Sequence, residues 1–337
     1  EWTDNASTLP SQTGFPFMSR DAVGDGEFPP DPKWPRGAKV ALQIVLNYEE
    51  GGESCLLYGD DRSEHLLSEI VGASSYLGQR HVNMESLYDF GSRAGFWRLH
   101  RLLSRKQLPC TVFAVGMALQ RNQDAALAMV RAGWEVASHG YRWIDYQNFI
   151  EAEEMKHIAQ TIGVHEQLLG HRPVGIYQGK PNCYTRKLVS QSGFLYDSDS
   201  YADEIPYWST DALHWGGKPH LIIPYTLSEN DMRFVSPNGF SNGRDFSTYL
   251  MDHLDYLVKE AKESGGTGKM MSVGLHCRLA GRAGRTAGLE EFLDHAKSYG
   301  EDVWICRRDE IAKHWYDNFW EAEWGDKPSV PLHNFHG

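Results

Sequence analysis

The stretch KVALQIVLNYEEGG, residues 39–52, decides the fold. Its first ten residues are a β-branched and aliphatic run, which is typical of a strand buried on both faces of a parallel sheet. Two acids and two glycines follow directly, Glu49-Glu50-Gly51-Gly52. Barrel enzymes place catalytic side chains at the carboxyl ends of their strands, and glycines allow a tight backbone turn there. The stretch therefore predicts a central strand that ends in the first part of a site.

Six further apolar runs alternate with helical patterns along the chain. The runs are residues 110–115, 134–138, 174–177, 220–225, 270–276 and 303–306. The helical patterns are residues 96–103, 125–132, 151–169, 246–264, 289–299 and 309–319. Gly170 is a natural C-terminal cap of the third pattern. Alternation of this kind predicts a parallel α/β fold.

The length of 337 residues and the 41% hydrophobic content fit one barrel with insertions. We assign residues 38–320 to a single domain of this kind. Residues 1–37 are rich in Pro, Gly, Ser and Asp, and we interpret them as an extended arm that lies on the domain. Residues 321–337 are assigned to a C-terminal tail.

The balance of charge limits the class of partner. The formal net charge is −12 and no basic run is present, which argues against nucleic acid or an anionic membrane as a partner. The five cysteines are widely spaced, which favours a reducing compartment. No apolar stretch near the start is long enough to span a bilayer, and residues 1–35 do not read as a secretion leader. We expect a cytoplasmic protein with a small-molecule substrate.

Polar side chains follow four of the predicted strands. They are Glu49-Glu50, Ser138-His139, Tyr177-Gln178-Gly179-Lys180 and His276-Cys277-Arg278. Because the carboxyl ends of barrel strands meet at one face, two glutamates, two histidines and a lysine are expected to lie together there. Such a convergence of titratable groups predicts an active site.

The order of these motifs resembles the polysaccharide deacetylases of the NodB homology type, across roughly residues 38–315. The resemblance implies an α/β fold, a distorted (β/α) barrel. It also implies that the first strand ends in a general base and a metal ligand, the positions held here by Glu49 and Glu50. The late histidine of the family, which protonates the leaving nitrogen or assists the base, is matched by His276.

A closer resemblance is to one branch of that family, the metal-independent allantoinases and their fungal relatives, some of which are labelled chitin deacetylases. The shared runs are residues 45–53, 91–99, 138–146, 196–201, 223–227, 230–234 and 274–278. The branch implies ring opening of a cyclic ureide, a place in purine catabolism and a homotetramer. One departure is Lys180, where the branch commonly has an arginine. A lysine gives a point charge instead of a planar fork, so it holds a ureide less well.

The metal site implied by the family is incomplete in this sequence. A catalytic zinc usually has three protein ligands, but the template supplies two, Glu50 and His139. Trp143 stands where the second ligand histidine is expected, and its indole has no lone pair to give. We therefore expect no cofactor. A divalent metal such as zinc, with His276 or His81 completing a different triad, is the open alternative.

Without a metal, water has to be activated by a carboxylate alone. Glu49 or Glu50 is the expected base, because adjacent glutamates under aromatic cover raise each other's pKa. His276 is expected to protonate the departing nitrogen, and Lys180 or backbone N–H groups to stabilise the oxyanion. The expected substrate-binding residues are His139, Trp143, Tyr177, Lys180, Asn83, Glu85 and Arg278.

Two of these assignments have alternatives. Asn83 precedes a helix and is either its cap or part of the pocket. Arg278 belongs with Arg282 and Arg285 to a loop that either binds an anion at the rim or forms salt bridges at a subunit contact.

Three functions compete. The first is hydrolysis of a carbon–nitrogen amide bond in a small cyclic ureide or imide, with allantoin as the first compound to test. The second is deacetylation of an N-acetylglucosamine polymer such as chitin, which predicts a secretion leader and an open groove. The third is a catalytically silent relative that only binds a ligand. The acidic balance of the chain favours the small substrate.

Overall fold

The computed structural model describes residues 21–263 and 265–320, which form nine strands and nine α-helices. The strands are β1 (Val40–Tyr48), β2 (Thr111–Ala114), β3 (Glu135–Ser138), β4 (Gly175–Ile176), β5 (Tyr196–Asp197), β6 (Tyr207–Ser209), β7 (His220–Ile222), β8 (Lys269–His276) and β9 (Val303–Ile305). The helices are α1 (Val82–Phe90), α2 (Phe96–Arg105), α3 (Gly116–Arg121), α4 (Gln123–Arg131), α5 (Glu151–Leu169), α6 (Thr185–Gln191), α7 (Gly243–Lys262), α8 (Ala283–Ser298) and α9 (Arg308–Phe319).

The strands form one curled sheet in the order β6-β7-β5-β4-β3-β2-β1-β8, and β9 pairs with the start of β1. Helices surround the sheet, so the architecture is a half-barrel. This confirms the predicted distorted (β/α) barrel. One feature differs from the all-parallel prediction, because β6 pairs with β7 in the antiparallel direction.

The central strand β1 is buried along its whole length. Its even-numbered residues pack into the main core, as Leu42 and Leu46 do. The odd-numbered Val45 packs inside the barrel against Phe113 and Tyr177. Because side chains alternate along a strand, this register directs the following odd-numbered residues, Asn47 and then Glu49, toward the inside and the mouth of the barrel.

Several elements were absent from the sequence prediction. The strands β5 and β6 have two and three residues, which is too short for a recognisable pattern.

The predicted tail and the first twenty residues of the predicted arm lie outside the described residues. In the described part of the chain, no helix is long and apolar enough to cross a membrane.

A π-helical turn, Gly91–Gly95, joins α1 to α2. A side chain at Gly91 would collide with the carboxylate of Glu50, and one at Gly95 would collide with the carbonyl oxygen of Cys277. The two glycines therefore let a helix backbone lie against the segments that follow β1 and β8. Turns of this type are frequent at functional sites.

Replacing Gly95 with alanine is expected to lower the free energy of unfolding by about 1–3 kcal/mol, because the new methyl group has to displace the Cys277 carbonyl. Gly163 in α5 is the matched control, since nothing lies within 4 Å of an added Cβ there. Gly163→Ala is expected to stabilise the protein by about 0.5–1 kcal/mol, because alanine is the better helix former. Urea denaturation measures both changes, and equal effects of the two substitutions would contradict the close approach at Gly95.

Candidate active site

Glu49 lies at the centre of the candidate site and is 1% exposed. Its Oε1 lies 3.3 Å from Nε2 of His139 and 3.4 Å from Nε2 of His276. Its Oε2 lies 2.8 Å from Nη2 of Arg278, an ion pair without the alignment of a hydrogen bond. The segments that follow β1 and β3 therefore meet the end of β8 at one carboxylate.

Charged neighbours decide the protonation of the two glutamates. Burial raises the pKa of Glu49, but Arg278 and the two histidines outweigh it and hold this pKa well below the usual value. The expectation that the pair would raise each other's pKa is therefore wrong for Glu49. It holds for Glu50, whose pKa is raised by burial and by Glu49, against the opposing charge of Arg278. Glu49 is therefore ionised at neutral pH.

Glu50 is held by backbone groups and by Arg278. Its Oε1 accepts a hydrogen bond from the backbone N–H of Arg278 at 3.2 Å and lies 3.4 Å from Nη1 of the same residue. Its Oε2 accepts from the backbone N–H of Glu49 at 3.2 Å. Glu50 thus ties the end of β1 to the segment after β8. Of the two candidates for the base, Glu49 is the one that contacts both histidines.

His276 is oriented by Asp231, which begins a 3₁₀ turn and is fully buried. The Nδ1–H of His276 donates to Oδ1 of Asp231 at 2.6 Å, and its backbone N–H donates to Oδ2 at 2.7 Å. Burial lowers the pKa of His276, but Glu49 and Asp231 outweigh it and raise this pKa to about 9. The imidazole is therefore protonated at neutral pH and directs its Nε2–H toward Glu49.

An NMR titration of the His276 imidazole is expected to have its midpoint near pH 9. The raised pKa means that the cation persists through neutral pH and is lost as the pH rises through this midpoint. Asp231→Asn removes one of the two anions, so the midpoint is expected to move to lower pH. A midpoint that stays unchanged in a folded Asp231→Asn protein would show that Asp231 does not hold the charge.

His139 is fixed by Tyr177. Its Nδ1–H donates to the backbone carbonyl of Tyr177 at 2.6 Å, and the two rings stack with centroids 5.1 Å apart. The hydroxyl of Tyr177 lies 2.7 Å from that of Tyr201. These contacts aim Nε2 of His139 at Glu49 and make Tyr177 a buried wall of the site.

Trp143 fills the place predicted for a ligand histidine. It is 6% exposed, and its backbone N–H donates to the carbonyl of Gly52 at 2.9 Å. The ammonium of Lys180 lies 3.7 Å from the centre of a Trp143 ring, and Cζ of Arg278 lies 5.4 Å from it. Two cations therefore flank the indole.

Lys180 is partly buried beside this indole. Burial lowers its pKa by more than the nearby carboxylates of Glu64 and Glu49 raise it. The ammonium of Lys180 lies over the face of the Trp143 ring. An aromatic face attracts a cation but does not neutralise the charge of that cation. The structure therefore places Lys180 in the site, as the motif order predicted.

The Arg278 guanidinium forms a fixed side of the site. It is 1% exposed, its Nε–H donates to the carbonyl of Leu67 at 2.9 Å, and its Cζ lies 4.1 Å from the centre of the Tyr88 ring. Its two other nitrogens face Glu49 and Glu50. This places Arg278 against both glutamate carboxylates.

The other arginines of that loop have partners within the chain. Nε of Arg282 lies 3.5 Å from Glu69, and Nη1 of Arg285 lies 2.9 Å from the same carboxylate. The described loop therefore forms salt bridges at the rim.

Asn83 and Glu85 are not brought together with the glutamates and histidines. Asn83 is exposed in the first turn of α1, and the cap of that helix is His81, whose Nδ1 accepts from Met84 N–H at 3.4 Å. The interpretation of Asn83 as the cap is therefore wrong. The described partners of Glu85 are Arg80, at 2.5 Å, and the Cys55 thiol, at 3.6 Å.

Tyr88 and Gly91 are parts of the site that had no predicted role. Tyr88 lies under the Arg278 guanidinium, and Gly91 lies against Glu50. The glycine pair at 91 and 95 inside a helical pattern was a usable signal, because glycine is costly in a helix and often marks a close contact. Tyr88 carried no such signal, since its partner is distant in the sequence.

The residues present do not fit a divalent metal. Across residues 21–263 and 265–320, no group of three or more His, Cys, Asp or Glu is arranged to hold one. The chemistry of the donors gives the reason. Glu50 is already paired with Arg278, Trp143 has no lone pair to give, and Lys180 adds a second positive charge beside the indole.

Comparisons with known proteins agree with this architecture. The polysaccharide deacetylase family model matches residues 83–195. A protein of Schizosaccharomyces pombe, named "Putative polysaccharide deacetylase", is 39% identical over 317 residues, which cover 89% of this chain and 97% of that protein. The crystal structure of a probable polysaccharide deacetylase from Pseudomonas aeruginosa PAO1 is 52% identical with a TM-score of 0.85. That of Puue allantoinase is 50% identical with a TM-score of 0.86. In both of these structural comparisons, the matched region covers 89% of this chain and 98% of the crystallised chain.

Proposed function

We propose that this chain, which belongs to the polysaccharide deacetylase family, opens the ring of a small cyclic ureide or imide such as allantoin. Because the chain belongs to this family, it is a hydrolase that acts on carbon–nitrogen bonds. This confirms the class of enzyme that the order of the motifs predicted. The name of Puue allantoinase supports allantoin as the first substrate to test.

The observation that carries the proposal is the position of the Glu49 carboxylate between Nε2 of His139 and Nε2 of His276. An ionised carboxylate in a buried site can take a proton from water as that water attacks an amide carbon. The protonated His276 can then give its proton to the departing nitrogen. Lys180 supplies the positive charge for the oxyanion of the tetrahedral intermediate. Because the pKa of Glu49 is low and that of His276 is raised, Glu49 then passes this proton to Nε2 of His276, 3.4 Å away, which restores both groups for the next turnover.

The Trp143 side of the site favours a small flat ring over a polymer. The buried indole carries Lys180 on one face and lies near Arg278, so the site combines a flat apolar surface with positive charge. A planar ureide has carbonyl oxygens that the ammonium of Lys180 attracts. The lysine offers one point charge where an arginine would offer two parallel hydrogen bonds, so hydantoin and dihydropyrimidines belong in the substrate test beside allantoin.

A turnover panel with and without chelator tests the proposal. The panel contains allantoin, hydantoin, dihydropyrimidines and chitin oligomers. Ring opening that survives EDTA is the expected result, since the chain supplies its own base and cations. Chitin deacetylation that EDTA abolishes would instead favour a polymer deacetylase, the reading that the name of the fission yeast relative supports. If none of these compounds is turned over, the result would favour a protein that binds a ligand without catalysing a reaction.

We also propose a cytoplasmic, homotetrameric enzyme of purine catabolism with no nucleic-acid or membrane partner. The acidic net charge of −12 supports the small-molecule substrate. Light scattering coupled to size-exclusion chromatography measures the oligomer, and a monomeric mass would contradict the tetramer.

A further inference from the structure

Arg278 is buried among two carboxylates and two aromatic rings. Its Nη2 lies 2.8 Å from Oε2 of Glu49, and its Nη1 lies 3.4 Å from Oε1 of Glu50. The rings of Tyr88 and Trp143 lie 4.1 Å and 5.4 Å from its Cζ. A buried guanidinium requires paired charge. Here both partners are the acids that follow β1.

The position of this guanidinium does not depend on the two acids alone. Its Nε–H donates to the backbone carbonyl of Leu67 at 2.9 Å. Its backbone directly follows His276 and Cys277, so the end of β8 anchors the residue. The backbone N–H of Arg278 also donates to Glu50. An arginine held from this many directions cannot swing toward a substrate without breaking buried contacts. Its charge is therefore a fixed part of the site.

The positions that the family resemblance gives to a metal lie around this same guanidinium. Glu50 is bonded to Arg278, Glu49 bridges Arg278 to His139, and Trp143 stands beside them where the second histidine would be. A divalent ion that contacted both glutamates would lie close to the guanidinium charge. Like charges repel strongly where water is excluded.

We propose that Arg278 is the built-in cation of this site, which positions Glu49 and Glu50 in place of a divalent metal and keeps such a metal out. Arg278 is then a positioning residue, because it acts on water and substrate through Glu49. The turnover tests of this inference rest on the proposed function. The metal-binding test needs no substrate, so the two can fail separately.

Zinc titration calorimetry on three variants tests the exclusion of metal. Trp143→His restores the missing histidine, Arg278→Gln removes the cation, and the double variant does both. Only the double variant is expected to bind Zn²⁺ with one-to-one stoichiometry, and Glu50→Gln added to it is expected to abolish that binding. Zinc binding by Trp143→His alone would overturn the exclusion, and so would a folded double variant that binds no Zn²⁺.

Steady-state kinetics on the best ring substrate test the positioning role. Arg278→Gln is expected to lower kcat about 100-fold, because a misplaced catalytic carboxylate costs that order of rate, and to leave KM nearly unchanged. Added guanidinium chloride is expected to restore part of kcat, whereas Arg278→Lys stays impaired because an ammonium lacks the fork that pairs with two carboxylates. A raised KM with kcat retained would overturn the inference, since it would show that Arg278 binds the substrate directly.

Arg282→Gln is the matched control. This arginine lies four residues further along, its side chain is 34% exposed, and it pairs with Glu69 at the rim. The substitution is expected to leave kcat, KM and the lack of zinc binding as in the wild type. Circular dichroism and thermal unfolding establish that each variant is folded. A wild-type protein that turns over no ring substrate would defeat the proposed function, and the zinc titrations would still decide the role of Arg278.

Discussion

A Glu49→Gln protein is expected to lose about 10³-fold in kcat, the order of effect that general base catalysis contributes, while keeping its fold. An amide cannot take the proton from the attacking water, and Glu49 is the carboxylate that lies between the two histidines. The loss is expected in kcat more than in KM, because the base acts on water and contributes little to the binding of the substrate.

Glu50→Gln is the matched comparison, since it makes the same chemical change one residue later. The amide oxygen can still accept from the backbone N–H of Arg278, so the loop geometry is largely retained. We expect kcat to fall by about tenfold or less, far below the effect at Glu49. Kinetics of both proteins on one substrate, with thermal unfolding as the check on the fold, decide the matter. A larger loss for Glu50→Gln would show that the base had been assigned to the wrong glutamate.

The sequence was sufficient to predict which strand ends meet at the site. Glu49, His139 and His276 each follow or end an apolar run, and parallel strands place such ends at one face. The structure brings both histidines within 3.4 Å of the Glu49 carboxylate. This success depends on a general property of barrels, and so it needed no knowledge of side-chain packing.

The sequence could not predict which glutamate faces the histidines. That choice depends on Arg278, which lies 228 positions beyond Glu50, and on the room that Gly91 leaves for the Glu50 carboxylate. The pKa expectation failed for the same reason. Two adjacent acids raise each other's pKa only where no cation intervenes, and the burial of Arg278 against Glu49 is a tertiary contact.

Asn83 illustrates a local error, in the position of a helix boundary. Its place in a run near the start of a helix suggested either a cap or a pocket residue, but His81 forms the cap and Asn83 is exposed. Helix boundaries read from sequence are uncertain by a few residues. A shift of two residues was enough to exchange a buried capping side chain for an exposed one.

A His276→Gln protein is expected to lose about 10²-fold or more in kcat, because the departing nitrogen then leaves without a positioned proton. The size of the loss is expected to depend on the substrate. A more acidic nitrogen, as in an imide ring, departs more easily as an anion, so its hydrolysis suffers less than that of a ureide. The ratio of wild-type to variant kcat/KM on one ring of each kind measures this difference.

Asp231→Asn is the control that separates the proton donor from its support. It retains the imidazole and removes the anion that helps to keep it charged, so an intermediate loss is expected on the ureide. Equal losses on both rings in His276→Gln would indicate that His276 acts on the attacking water through Glu49. The dependence on the leaving nitrogen therefore distinguishes the two roles that its position 3.4 Å from Glu49 permits.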